Sequence, residues 1–111
     1  MSQPTYEKAY YENGKLRYEQ WYLDGKQHRV DGPAYKAYYE NGELRYEQWY
    51  LNGKRHRVDG SAYKAYYENG KLRCEEWYLN GKCISKEEFI NSYEHQNYLV
   101  DLAITKILEA K

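Results

Sequence analysis

Three histidines, two cysteines and a regular scatter of Asp, Glu, Lys and Arg are the residues of this sequence with chemistry to offer. His28 and His56 each open the phrase His-Arg-Val-Asp-Gly, and two imidazoles would make half of a zinc site. No cysteine or acidic cluster stands at ligand spacing from them, so no metal is expected. The plainer expectation is that each ring packs beside Trp21 or Trp49, near a bend. Cys74 and Cys83 would need a base and an orienting group to act as nucleophiles, and nothing in the sequence marks either. Glu19 with Lys8 and Glu47 with Lys36 could resemble acid–base pairs. On a solvent face they read as cross-strand ion pairs worth well under ~1 kcal/mol. The Asn-Gly pairs are not phosphate loops, because no helix start follows them. The expectation is a protein that is not an enzyme and carries no cofactor.

The elements that must position these residues come from a repeat. Residues 10–37 and 38–65 differ only at Lys15/Glu43, Asp24/Asn52, Gln27/Arg55 and Pro33/Ser61. A third copy, 66–83, departs from the second at Lys71, Cys74, Glu76 and Cys83, then stops. A fixed period of this length marks an architecture in which neighbouring units complete each other's core. Both cysteines thus replace residues of the earlier copies and read as drift in a terminal repeat.

All eight glycines fall in three repeat slots. The first two follow Asn or Asp, as in Asn41-Gly42 and Asn52-Gly53, and suit two-residue type I′ hairpin turns. The third, Gly32 and Gly60, follows Asp and reads as a bend. A two-residue turn at Asn41-Gly42 sets Tyr39 opposite Leu44, Ala37 opposite Tyr46 and Tyr35 opposite Gln48 on one face. Tyr38 then opposes Arg45, and Lys36 opposes Glu47, on the other. Asn52-Gly53 sets Trp49 opposite His56 and Glu47 opposite Val58. The strand Glu43 to Leu51 is expected to pair on both edges, with a bend at Asp59-Gly60. The fold class predicted is mainly β, an antiparallel hairpin-repeat meander of three 28-residue units with a C-terminal α-helix capping it. The units are 1–37, 38–65 and 66–84, and 85–111 belongs to the same domain.

Pro4 and Glu7 on the first strand discourage another sheet from adding there. At the other end, Ser85-Lys86-Glu87-Glu88 fits a capping box, with Ile84 and Phe89 placed for a hydrophobic staple. Phe89, Tyr93, Val100, Ile104 and Ile107 follow a helical stripe, widened by Ile90, Ala103 and Leu108. One helix of up to ~37 Å fits 85–111, with His95–Asn97 as a place for a kink or a break.

Basic and acidic residues number 17 each, which gives no sign of a nucleic-acid partner. Mean hydropathy of −1.16 would point to disorder, but 16 tyrosines make the chain foldable. No apolar run spans a membrane, and the start Met-Ser-Gln-Pro-Thr-Tyr-Glu-Lys has no hydrophobic leader. With Cys83 opposite Tyr78, the two sulfurs lie roughly 13 Å apart, too far for a disulfide. Reduced thiols and a cytoplasmic location are expected.

The phrase Tyr-Tyr-Glu-Asn-Gly-Lys-Leu…Asn-Gly-Lys resembles the MORN repeat family, and more closely its variant found in bacterial and viral proteins. The resemblance covers residues 6–83. Tyr46, Trp49 and Gly53-Lys54 are similar to the family's aromatic-then-Gly-Lys group, and His56 to Gly60 to its downstream His-Gly segment. Gln48 and Arg57 stand where the more usual pattern has glycine, and the period is longer. The resemblance implies an elongated single-layer antiparallel sheet. The roles it implies range over scaffolding, dimerisation, lipid contact and antitoxin-like activity; a viral member would sit in the host cytoplasm or the virion.

Of the two sheet faces, the one with Tyr11, Tyr39, Tyr67, Leu16, Leu44 and Leu72 is expected to be core. The other carries Tyr10, Arg17, Tyr38, Arg45, Tyr66 and Arg73, residue types enriched at interface hot spots. These six are the predicted partner-binding residues. The function expected is a non-enzymatic module for protein–protein interaction or scaffolding, with a protein partner or a homodimer. The alternative is lipid-surface or carbohydrate binding through the aromatic and arginine face. Membrane contact is not expected, because the repeats lack a strongly basic face.

Overall fold

The computed structural model describes residues 3–110; Met1, Ser2 and the final residue of the expected terminal helix, Lys111, lie outside them. An antiparallel sheet runs in the order β1 (Pro4–Tyr10), β2 (Leu16–Leu23), β4 (Tyr35–Tyr38), β5 (Leu44–Gln48), β8 (Tyr63–Tyr66), β9 (Leu72–Leu79), β10 (Lys82–Ile84). Strand β3 (Lys26–Gln27) pairs with β2, and β6 (Tyr50–Leu51) forms a separate small ribbon with β7 (Lys54–Arg55). Two helices follow, α1 (Lys86–Ile90) and α2 (Tyr93–Glu109). The predicted fold class holds, with principal extents of 48 × 39 × 34 Å.

The two kinds of Asn-Gly turn are not alike. Asn52 (φ 50°) and Gly53 (φ 81°) both take positive φ, as type I′ requires. In the other slot only Gly42 does (φ 92°). There the Gly42 N–H donates to the Tyr39 carbonyl and the Tyr39 N–H to the Glu43 carbonyl, which makes a three-residue loop. Asn41 stays out of the left-handed region because its side chain is used elsewhere. Its Oδ1 accepts from the Glu43 N–H at 2.9 Å, and its Nδ2 donates to the Glu68 carbonyl of the next repeat.

The longer loop shifts the register, and a bulge between Ala37 and Tyr38 restores it. Tyr35↔Gln48, Lys36↔Glu47 and Ala37↔Tyr46 pair as expected, but Tyr38 pairs with Leu44 rather than Arg45. The second correction is at Trp49, where the strand breaks. Its carbonyl takes the His56 N–H and its N–H donates to the Ala62 carbonyl. The chain bends away in between, so Glu47 pairs with Lys64, not Val58.

Neither face buries a ring completely. The buried apolar side chains are Ala34, Ala37, Ala62, Ala65 and Phe89. A sheet one layer thick has no second layer to close over a large residue, so half-exposed tyrosines and tryptophans cover alanines instead. Tyr11 and Tyr39, expected in the core, are half-buried ties between repeats. Their hydroxyls donate to the carbonyls of Tyr38 and Tyr66 at 2.6 and 2.7 Å. No repeat follows the third, and Tyr67 is 51% exposed. Tyr39→Phe should therefore cost about 1 kcal/mol in urea unfolding, and Tyr67→Phe close to nothing. Equal losses would show that these hydroxyls do not join the repeats.

The capping box forms: the Ser85 hydroxyl accepts from the Glu88 N–H and the Glu88 carboxylate from the Ser85 N–H. The helix breaks at Asn91-Ser92, ahead of the expected His95–Asn97. Ser92 takes an extended conformation (φ −70°, ψ 150°), donates its hydroxyl to the Phe89 carbonyl and accepts from the His95 N–H. It closes one helix and caps the next. Among the described residues no helix is long and apolar enough to cross a membrane.

Candidate interaction surface

The bulge decides which side chains share a face. Arg45 turns to the side of Tyr46, with its guanidinium 5.1 Å from that ring and 5.3 Å from Tyr39. Arg17 lies 5.7 Å from the Tyr11 ring in the same way. On this face Tyr18 stacks near Tyr35 at 6.5 Å and Tyr46 lies 6.1 Å from Tyr63. Burial raises the hydroxyl pKa of Tyr35 and of Tyr63; Arg45 and Arg17 oppose the rise at Tyr35, and Arg73 opposes it at Tyr63. Arg17 and Arg45 thus lie against tyrosine rings of the first two repeats, whereas Arg73 adjoins Cys74, which stands in the place of Tyr18 and Tyr46. A shallow cavity of about 260 Å³ opens between Arg17, Tyr18, Tyr35, Arg45 and Tyr46.

Further along the same face Arg55 gathers the second and third repeats. It donates to the Tyr50 hydroxyl, the Tyr78 hydroxyl and Gln48 Oε1 at 3.1, 3.1 and 2.9 Å, and lies 5.1 Å from the Tyr63 ring. Gln27 fills this slot in the first repeat and Cys83 in the third, so the motif occurs once.

The other face holds Tyr38 and Tyr66, where they are tied down. Tyr38 donates to Glu19 Oε1 at 2.8 Å, Tyr6 to Glu19 Oε2 at 2.7 Å, and Tyr66 to Glu47 Oε1 at 2.8 Å. Burial and the neighbouring glutamate push the Tyr38 hydroxyl up strongly and Tyr66 to about 12. Burial also pushes Glu19 up, but the hydrogen bonds from Tyr6 and Tyr38, with Lys36 nearby, hold it below the usual carboxylate value. Tyrosine hydroxyls, not lysines, are thus the hydrogen-bond partners of the carboxylates expected in cross-strand ion pairs. Among the described residues, ion pairs shorter than 4.0 Å are Arg29–Asp31 at 3.1 Å and Arg57–Asp59 at 2.6 Å.

Of the six predicted contact residues, Arg17, Arg45 and Arg73 are exposed on the tyrosine face, and Tyr10 is 54% exposed. Tyr38 and Tyr66 are half-buried on the opposite face. The six do not form one surface. Tyr18, Tyr35, Tyr46 and Tyr63 join the arginines instead, because the bulge moves Arg45 by one position of the pleat.

His28 and His56 join repeats. Each Nδ1 accepts an N–H at 2.9 Å from the next turn, Asn52 and Asn80 respectively. Burial lowers the His56 pKa, opposed in part by Glu94, which favours the neutral, accepting ring. Among the described residues no three His, Cys, Asp or Glu side chains cluster to hold a metal. Cys74 and Cys83 are free and exposed, with Cys83 opposite Tyr78 as expected.

The MORN repeat variant matches the chain three times, at residues 6–24, 34–52 and 62–76. No characterised protein and no solved structure matches it. Each match covers a hairpin of the main sheet, and successive matches begin one 28-residue period apart. MORN repeats are generally non-enzymatic modules, often of protein or lipid binding. By its three matches and the hairpin sheet they build, this chain belongs to the MORN-repeat family, in its variant form.

Proposed function

We propose that the chain is a non-enzymatic module for protein–protein interaction, and that the tyrosine face with Arg17, Arg45 and Arg73 makes the contact. The observation that carries this reading is the repeated pairing of an exposed arginine with half-exposed rings held by the sheet. Aromatic rings held by a sheet lose little freedom on binding, and arginine offsets its larger entropy loss with several donors and a planar stacking surface, so both types dominate interface energies. The opposite face contributes less, since its tyrosine hydroxyls already serve Glu19 and Glu47. Two exposed free thiols suit a reducing, cytoplasmic setting.

The test is a cross-linking pull-down from the source lysate with wild-type protein and with Arg17→Glu/Arg45→Glu/Arg73→Glu. All three side chains are exposed, so the variant should keep its circular dichroism and melting temperature. A partner recovered by the wild type should fall at least about tenfold with the variant, in line with the loss of hot-spot residues. An undiminished partner would remove this face from the contact. Recovery of nothing, with co-flotation on anionic vesicles that the variant loses, would transfer the face to lipid binding.

A further inference from the structure

Strand β9 is paired unequally. Along one side it meets β8 at Tyr63↔Glu76, Lys64↔Glu75, Ala65↔Cys74 and Tyr66↔Leu72. Along the other it meets β10 only at Trp77, Tyr78 and Leu79. The half from Leu72 to Glu76 is therefore an open edge of the sheet.

What such an edge accepts is known from its two filled copies. The same half of β2 takes β4, with Tyr18↔Ala37, Glu19↔Lys36 and Gln20↔Tyr35. That of β5 takes β8, with Tyr46↔Ala65, Glu47↔Lys64 and Gln48↔Tyr63. Each incoming strand sets a lysine opposite the glutamate, and its next tyrosine, Tyr38 or Tyr66, donates to that glutamate. The third copy keeps Glu75 in this slot and lacks the strand; Glu75 Oε2 accepts from the Ser61 hydroxyl at 2.9 Å, and Glu76 Oε1 from the Tyr78 hydroxyl at 2.9 Å. Leu72 is 47% exposed, where Leu16 and Leu44 are half-buried.

One substitution alters what the edge selects. Glu76 replaces the Gln20 and Gln48 that face Tyr35 and Tyr63. A basic residue now suits the slot better than tyrosine. The chain's own outer strand is the obvious competitor, because β1 corresponds to β4 and β8. Its residue in that slot is Glu7, so a second copy would set carboxylate against carboxylate, and Pro4 brings no N–H to the same strand. The two ends of the sheet repel each other while each stays well formed, which is how edges are kept from polymerising.

We propose that the Leu72–Glu76 edge of β9 receives an extended basic segment of a partner protein. Its strand would add antiparallel to β9, with Lys or Arg opposite both Glu75 and Glu76 and a tyrosine beyond them reaching Glu75. Main-chain hydrogen bonds supply the attachment and the two glutamates supply the selection. The inference rests on the protein-binding reading above but uses the backbone edge of β9, where Arg73 alone of the three arginines lies.

The test titrates three peptides onto the full chain and follows β9 amides by NMR. One is the β8 sequence AYKAYYENG, one carries lysine in place of Tyr63 (AKKAYYENG), and one is the β1 sequence YEKAYYENG. The lysine peptide should bind about fivefold tighter than the β8 peptide, and the β1 peptide weakest, as expected for charges directly opposed across strands. Glu76→Gln should abolish that preference. Glu7→Tyr/Glu76→Gln, which restores both edges to the repeat sequence, should self-associate in sedimentation while the wild type stays monomeric. The proposal is overturned if no peptide perturbs β9, if Glu76→Gln leaves the preference intact, or if the wild type stacks through this edge. The Arg17→Glu/Arg45→Glu variant, which leaves β9 unaltered, should bind the lysine peptide normally, so the two readings fail separately.

Discussion

Phe89→Ala should release the terminal helices from the sheet, at a cost of about 3 kcal/mol to their docking. Phe89 is 3% exposed and is the large apolar side chain of the buried set; the others are alanines. Its ring centre lies 4.6 Å from that of His95, which lies 6.2 Å from Tyr98. His95 Nδ1 also bonds the Val58 carbonyl at 2.8 Å, on the bend of the second repeat. These contacts gather at α1 and the first turns of α2. Beyond them α2 has no fully buried residue: Leu102 is half-buried, and Val100, Ile104, Ile107 and Leu108 are all at least half exposed. A helix held at one end, where His95 and Tyr98 gather on the Phe89 ring, has no second anchor along its length. Hydrogen exchange should show the Tyr93–Glu109 amides losing protection while β4, β5 and β8 keep theirs. Unchanged protection of α2 would mean that Phe89 is not the anchor; uniform loss would mean that the sheet depends on the helix.

The stripe Phe89, Tyr93, Val100, Ile104 and Ile107 shows how far sequence reading reaches here. Its spacing is that of a helix face, and a helix forms, but periodicity says nothing about which way the face turns. Of the stripe Phe89 docks and the other four stay exposed, while His95 and Tyr98, outside the stripe, join Phe89. The hairpin faces went the same way. Asn41-Gly42 and Asn52-Gly53 are the same dipeptide, yet one makes a three-residue loop and the other a type I′ turn. The three-residue loop also forms at Asn69-Gly70, where no further repeat offers a carbonyl to the asparagine, so the inter-repeat bond from Asn41 to Glu68 accompanies the loop and does not create it. What separates the slots is the residue ahead of the dipeptide, Glu40 in one and Leu51 in the other, which the dipeptide alone does not reveal. Most of the strand register was legible, since the three-residue loop and the bulge cancel from Ala37↔Tyr46 onward. The candidate site was not, because it depends on which face the bulge gives to Arg45.

Arg57→Ala should cost about 2 kcal/mol, through a lost cation–π contact and lost hydrogen bonds, and should cost more than Arg29→Ala. The Arg57 guanidinium lies 3.8 Å from the Trp49 ring, its Nε meets Asp59 at 2.6 Å, and Nη1 donates to the Ser61 carbonyl at 3.1 Å. Arg29 repeats the arrangement over Trp21, but its partner Asp31 is 86% exposed against 42% for Asp59, so water weakens that pair more. Arg57→Lys should recover less than half of the loss, because an ammonium cannot lie flat on the indole while donating in two directions. The third glycine slot then has a reason that turn geometry alone does not supply. A Cβ on Gly60 would come 3.1 Å from the Arg57 guanidinium carbon, so the glycine leaves room for the arginine to fold back. Gly60→Ala should therefore destabilise the wild type and do little in the Arg57→Ala background. Urea midpoints of the four proteins in this cycle measure the coupling. Additive losses would mean that Gly60 serves the chain bend and that the arginine closes over it by coincidence.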